Sequence, residues 1–140
     1  MSSLLKCQIG DILPIVTLPP VSRLDLIKYA GASGDYNPIH TIDDEAKKAG
    51  LPAIIAHGMW TMGNLAKLFT PYHEEGFIQE YQIRFRGMVF LGDIISLKAR
   101  LTEENEKYST FQVNAVNQNG VDVIKGIVKF AKYKNKEVSS

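Results

Sequence analysis

The run HGMWTMGNLAKLF at 57–69 constrains the fold more than any other stretch, because its polar residues are confined to His57, Thr61, Asn64 and Lys67. Apolar side chains then cover most of a helical circumference, so a helix here is buried on most sides. Gly63 in its interior costs about 1 kcal/mol against alanine and predicts close approach to another backbone. Such a helix needs a wrapper, and the following half of the chain supplies one. Tyr81, Ile83 and Phe85 alternate with Gln82, Arg84 and Arg86, and Ile95, Leu97, Ala99 and Leu101 alternate with Ser96, Lys98 and Arg100. Phe111, Val113 and Ala115 alternate with Gln112 and Asn114, after which NQNG turns the chain into Ile124, Val128 and Phe130. Period-two patterns of this kind predict four successive strands with hairpin-like turns. Helices early and strands late predict an α+β fold, an antiparallel sheet curled around one long helix, in a single domain over 1–140.

Upstream, residues 9–18 read as an extended segment ended by Pro19-Pro20, since proline lacks the ladder donor and restricts its predecessor. Ser22 is the expected N-cap of a helix built on Leu24, Ile27, Tyr29 and Ala30 and ended by Gly31. A loop follows over 32–40. Thr41 then caps a short helix in which Asp43, Asp44 and Glu45 sit at the positive dipole end, Lys47 and Lys48 in the last turn, and Gly50 at the stop. Helix electrostatics accounts for those charges, and no chemistry is assigned to them.

With 45% hydrophobic and 22% charged residues, the 140-residue chain has the composition of a folded domain. A formal net charge of +1 lacks the basic signature of a nucleic-acid binder, and the locally basic run KFAKYKNKE reads as a solvated end. The single cysteine, Cys7, fits a reducing compartment and reads as a small apolar filler. No apolar run approaches the roughly 20 residues of a membrane span, and MSSLLKCQIGD lacks a signal-peptide core. A soluble cytoplasmic protein without membrane or nucleic-acid partners is expected.

The loop run SGDYNPIH at 33–40 carries the candidate chemistry. Turn preferences explain Gly34, Asn37 and Pro38. They give no reason for the titratable pair Asp35 and His40, two groups able to act on one water as general base and general acid. On the residues alone, an ordinary turn and an active site remain equally open. Competing motifs fail: Ser33 in GASGD lacks the closing glycine of a nucleophile elbow, no phosphate loop is present, and the Asp35/His40 spacing matches no zinc or calcium pattern. No metal and no cofactor are expected. His73, in PYHEEG, reads as a surface loop residue.

The run YAGASGDYNPIHTIDDEA, continued by AHGMWTMG and later by RFRGMVFLGD, resembles the signature of the MaoC-like family, the (R)-specific enoyl-thioester hydratases and 3-hydroxyacyl-thioester dehydratases. Within it the closest look is to catalytic subunits of type II fatty-acid dehydratases of the mycolic-acid kind. The resemblance implies the hot-dog fold and a role for each residue. Asp35 and His40 would hold a water over the 2,3 double bond of a trans-2-enoyl thioester, Asn37 would order the loop, and the Gly58 N–H would bind the thioester oxygen. A free N–H at a helix start suits that charge, and glycine lets a substrate approach without a Cβ. His57 is expected to be a structural or capping imidazole. Arg84 and Arg86 are candidates for the phosphates of CoA or the acidic surface of an acyl-carrier protein. Ala66 stands where some relatives have a serine. A homodimer, or a heterodimer with a related hot-dog subunit, is implied. Two other readings stand beside the hydratase: a hot-dog acyl thioesterase, and a non-catalytic acyl-binding subunit of a heterodimeric dehydratase.

Overall fold

In the computed structural model, residues 3–133 are described, so the basic run KFAKYKNKE passes beyond the described residues from 134 onward. Five antiparallel strands form one sheet in the order β1-β3-β4-β5-β2: β1 (Val16–Thr17), β2 (Gly76–Phe85), β3 (Ser96–Glu104), β4 (Tyr108–Val116) and β5 (Asp122–Lys132). The alternation read from the sequence places one residue of each of the four long strands into a shared cross-strand row. Leu97, Ala115, Ile124 and Phe85 form one row, and Leu101, Phe111, Val128 and Tyr81 another. Between them, Gly126 leaves space that a Cβ would lose to the Gln82 carbonyl and the Ile83 side chain. Leu97, Leu101, Phe111, Val113, Ile124, Val128 and Phe130 are fully buried. Burying each such side chain contributes about 1.5–3 kcal/mol, so this face is the core.

The connections differ from the expected run of hairpins. β3–β4 and β4–β5 are adjacent, but β2 pairs with β5 and not with β3. The segment between β2 and β3 crosses the sheet and carries Val89–Leu91 past residues 54–56, where Ile55 bridges Phe90.

Three α-helices precede the long strands: α1 (Arg23–Ser33), α2 (Asp43–Lys48) and α3 (Gly58–Leu65). Ser22 caps α1 in a full capping box with Asp25. The helix does not end at Gly31. It runs to Ser33 and closes at Gly34, whose φ of 79° is the left-handed conformation that glycine adopts freely. Thr41 does not cap α2 either. Its N–H closes a 3-10 turn at Pro38–His40, and Ile42 occupies the cap position without a side-chain bond.

The long helix expected at 57–69 is shorter. α3 gives way to 3-10 turns at Ala66–Leu68 and Thr70–Tyr72. Thr61, Leu65, Leu68 and Phe69 face the sheet, but Met59 is 56% exposed and Gly63 meets nothing within 4 Å, so within this chain the backbone contact predicted there is absent among the described residues. The Tyr81 hydroxyl donates to the Met62 carbonyl and ties α3 to β2. Cys7 packs half-buried against the core, and burial, with the charges of Asp11 and Glu104 adding to it, pushes its thiol up.

Candidate active site

Polar side chains bonded to main-chain atoms shape the loop between α1 and α2. The Ser33 hydroxyl accepts from the Asp35 N–H at 3.1 Å, the Asp35 carboxylate from the Asn37 N–H at 3.2 Å, and the Asn37 side chain from the Ile39 N–H at 3.2 Å. Asn37 thus opens the 3-10 turn that delivers His40, while Pro38 supplies its fixed φ at the first position. From the outside, Arg23 holds the loop's exit by donating to the Thr41 carbonyl at 2.9 Å and pairing with Asp43 at 3.0 Å.

His40 reaches inward. Its Nδ1 lies 2.7 Å from the Ile55 carbonyl oxygen, which only accepts, so Nδ1 carries the hydrogen and Nε2 presents a lone pair. Ile55 is itself fixed by its neighbours: the Ala56 N–H donates to Val89 at 2.8 Å, Leu91 donates to Ile54 at 3.1 Å, and the Ile55 N–H donates to Ile39 at 3.3 Å. His40 Nε2 then faces Asp35 Oδ2 at 4.0 Å. That gap is too long for a direct hydrogen bond, yet one water at about 2.8 Å from each atom spans it. The carboxylate is half exposed, whereas the His40 ring is buried.

His57 lies beneath this pair. It occupies the cap position of α3 without capping through its ring. Its Nε2 instead meets the Asp35 carbonyl oxygen at 3.1 Å, its face stacks on His40 at 3.8 Å between centroids, and Tyr29 contacts it edge-on at 4.8 Å. Burial of the ring, with the neighbouring His40 adding to it, holds the His57 imidazole below the ordinary histidine range despite the opposing pull of the Asp35 carbonyl and carboxylate.

Gly58 follows directly as the first residue of α3, so its N–H belongs to the turn that helical geometry leaves without internal partners and lies at the positive end of the dipole. The space beside its Cα is not open to a substrate, as the sequence suggested. The Phe85 ring fills it, and a Cβ on Gly58 would come within 2.9 Å of that ring. Glycine lets that ring, itself 53% exposed, seat directly on the start of α3, and any role in binding rests on the N–H. The sequence pattern marks Phe85 only as a strand residue. Its contact with Gly58 depends on the β2–β5 pairing, which no local pattern announces.

The structure therefore brings together Asp35, Asn37, His40, His57 and Gly58. Phe85 turns its ring towards α3, so Arg84, one residue before it, points to the opposite face of the sheet, while Arg86 is exposed just past the end of β2. His73 is exposed, as expected, with its Nδ1 on the Thr70 carbonyl. One carboxylate oxygen of Asp35 and ring nitrogens of His40 and His57 lie within 4.8 Å of one another. The trio is nonetheless poorly suited to a cation. The His57 Nε2 is committed to the Asp35 carbonyl and its Nδ1 is sealed from solvent, leaving two free donors where a stable site uses three or four.

Residues 14–123 match the model of the family described as MaoC like domain. The chain belongs to that family. Among curated proteins, it is 34% identical over 105 residues to a peroxisomal hydratase-dehydrogenase-epimerase of Saccharomyces cerevisiae, covering 74% of this chain and 11% of that protein. It is 34% identical over 85 residues to a 3-hydroxybutyryl-CoA dehydratase of Methylorubrum extorquens, covering 59% of this chain and 54% of that one. The chain thus spans about half or less of the length of these relatives. The unliganded R-hydratase PhaJ1 of Pseudomonas aeruginosa superposes with a TM-score of 0.86 over 95% of this chain and 86% of its own, at 23% identity. The MaoC-like domain described above, with its sheet packed around α3, has the hot-dog fold. No helix among the described residues is long and apolar enough to cross a membrane.

Proposed function

We propose that this chain, a single MaoC-like hot-dog domain over 1–140, catalyses the reversible hydration of trans-2-enoyl thioesters to (R)-3-hydroxyacyl thioesters, with dehydration as the reverse. One observation carries the reading: the 4.0 Å gap between Asp35 Oδ2 and His40 Nε2, two acceptors facing each other beside the start of α3. A water in that gap donates one hydrogen to the carboxylate and the other to the imidazole, which turns its oxygen lone pairs outward towards C3 of the enoyl group. The hydroxyl adds to C3, and the proton taken up by the pair is delivered to C2. As C2 gains or loses its proton, charge builds on the thioester oxygen, where the Gly58 N–H and the helix dipole stabilise it. The pair acts without a metal or other cofactor. Because one water serves both bonds, addition is syn.

Acyl-CoA or an acyl-carrier protein presents the substrate, with Arg84 and Arg86 as contacts for the carrier's phosphates or acidic surface. A dimer is expected, homomeric or with a related hot-dog subunit. β2 forms an open sheet edge that carries exposed Phe77 and Phe85, and an edge of that kind needs cover. A monodisperse, active monomer in sedimentation would defeat that part. The single, half-buried Cys7 fits a cytoplasmic setting.

The test is the purified chain with crotonyl-CoA, following loss of the enoyl-thioester ultraviolet absorbance and resolving the hydrolysed product on a chiral column. Disappearance of that absorbance with an (R) product is expected. An (S) product, or deuterium from heavy water placed anti to the new hydroxyl, overturns the mechanism. Thiol release from a saturated acyl-CoA, without hydration, would replace it with a thioesterase.

A further inference from the structure

His57 has no place in the acid/base pair, yet at 2% exposure it is more enclosed than His40 at 7%. Since the Asp35 carbonyl oxygen can only accept, the His57 Nε2 carries the hydrogen that bonds it. The other nitrogen, Nδ1, is then a buried acceptor with no hydrogen-bond partner. An unpaired buried acceptor costs about 1–3 kcal/mol. A leucine or phenylalanine would fill the same space without that cost, so packing alone gives no reason for an imidazole. What an apolar side chain lacks is the Nε2–H donor.

The acceptor of that donor belongs to Asp35, the less secure half of the pair. His40 is anchored from the core by the Ile55 carbonyl at 2.7 Å. Asp35 sits on an exposed loop, with bonds of 3.1 Å to Ser33 and 3.2 Å to Asn37 that face solvent. Among the described residues, only the bond from His57 holds Asp35 from a fully buried group. The same ring backs His40 at 3.8 Å and is followed in the chain by Gly58.

We infer that His57 is a positioning residue: its Nε2–H ties the Asp35 main chain to the buried start of α3 while its ring backs His40, so that one side chain sets the separation between the acid, the base and the Gly58 N–H. It touches no substrate. It acts by holding Asp35 and His40 at the distance that one water spans.

The activity arm of the test rests on the hydratase reading above, and a spectroscopic arm does not. In the full chain with 15N-labelled imidazoles near neutral pH, His57 is expected as the neutral Nε2–H tautomer. A charged His57, or an Nδ1–H tautomer, would overturn the inference whether or not the protein hydrates crotonyl-CoA. A parent without hydratase activity would sink the functional reading alone. With an active parent, His57→Phe keeps a ring against His40 and removes the donor, so kcat should fall roughly ten- to hundredfold with KM within about threefold, as expected for a misplaced catalytic group. His57→Gln restores a donor and should recover kcat to within about fivefold of the parent. Parent-like kcat in the Phe variant, or a Gln variant no better than the Phe variant, overturns the proposal. If the Phe variant does not fold, a hundredfold loss in folded His57→Gln overturns it, and near-parent kcat in that variant supports it.

Discussion

Between Ser33 and Gly58 the side chains that matter bond to main-chain atoms: Ser33 to the Asp35 N–H, Asn37 to the Ile39 N–H, His40 to the Ile55 carbonyl, His57 to the Asp35 carbonyl. Across β3, β4 and β5 the side chains that matter touch one another, as where Phe69 meets Phe111 at 5.1 Å and Phe130 at 6.2 Å between ring centroids. Hydrogen bonds are directional and contribute little net stability each, about 0.5–1.5 kcal/mol, whereas apolar contact is non-directional and accumulates with area. The first region therefore fixes positions and the second fixes stability. A substitution should lose one property and keep the other, depending on where it falls.

The largest effects test that division directly. Asp35→Asn and His40→Gln should each lower kcat by about a hundredfold to ten-thousandfold, the range of a positioned acid or base, while the thermal midpoint stays near that of the parent. Either variant retaining activity within a fewfold would remove the proposed roles and leave the loop an ordinary turn. Phe111→Ala is the counterpart in the sheet. Deleting a fully buried ring should cost about 3–5 kcal/mol in urea unfolding, with turnover per folded molecule preserved. Loss of turnover in the fraction still folded would show that the two regions are coupled more tightly than their bonding suggests.

The same division explains what could be read from the sequence. Alternation at Leu97, Ala99 and Leu101, and at Phe111, Val113 and Ala115, fixes which face of β3 and β4 is buried, because side chains on a strand alternate by geometry. The Ser22 cap was equally legible, since its partner Asp25 lies three residues away. Gly31 and Gly34 look alike as letters, and only the backbone shows that Gly34 takes the positive φ while Gly31 stays helical. The apolar run from His57 announced burial but not the change to 3-10 turns after Leu65, nor the side left open at Met59 and Gly63. Asp35, Asn37 and His40 were visible because they are neighbours in sequence. The stacking of His57 on His40 and the seating of Phe85 on Gly58 join residues far apart in the chain, and nothing local predicts either.

A smaller effect sharpens the contrast between the two faces of the sheet. Arg84 pairs in register with Lys125 on the face away from α3 and takes no part in the bonds that position the loop. Arg84→Glu should therefore leave kcat and stability near the parent and raise KM for a thioester carried by CoA or carrier protein by a fewfold to tenfold, the signature of lost ground-state binding. Unaltered KM with both carriers would make that face a plain solvated one.

The smallest effect is a slope rather than a loss. A free histidine titrates near pH 6.5, and burial holds His57 below its ordinary range in the folded chain. Between those two values the unfolded chain binds the proton that the folded chain refuses, so stability rises with pH through that window. The thermal midpoint should accordingly decline as the pH is taken from about 7.5 down through about 6.5, and level off for this group once His57 protonates in the folded state. Asp35 and His40 face the same ring and Tyr29 contacts it, so the useful quantity is the difference between the parent and His57→Phe. The variant should show the shallower decline, because it retains those neighbours and lacks only the titrating ring. Parallel curves would mean that His57 gains its proton as easily in the folded chain as in the unfolded one, and that its burial carries no cost for the charged ring.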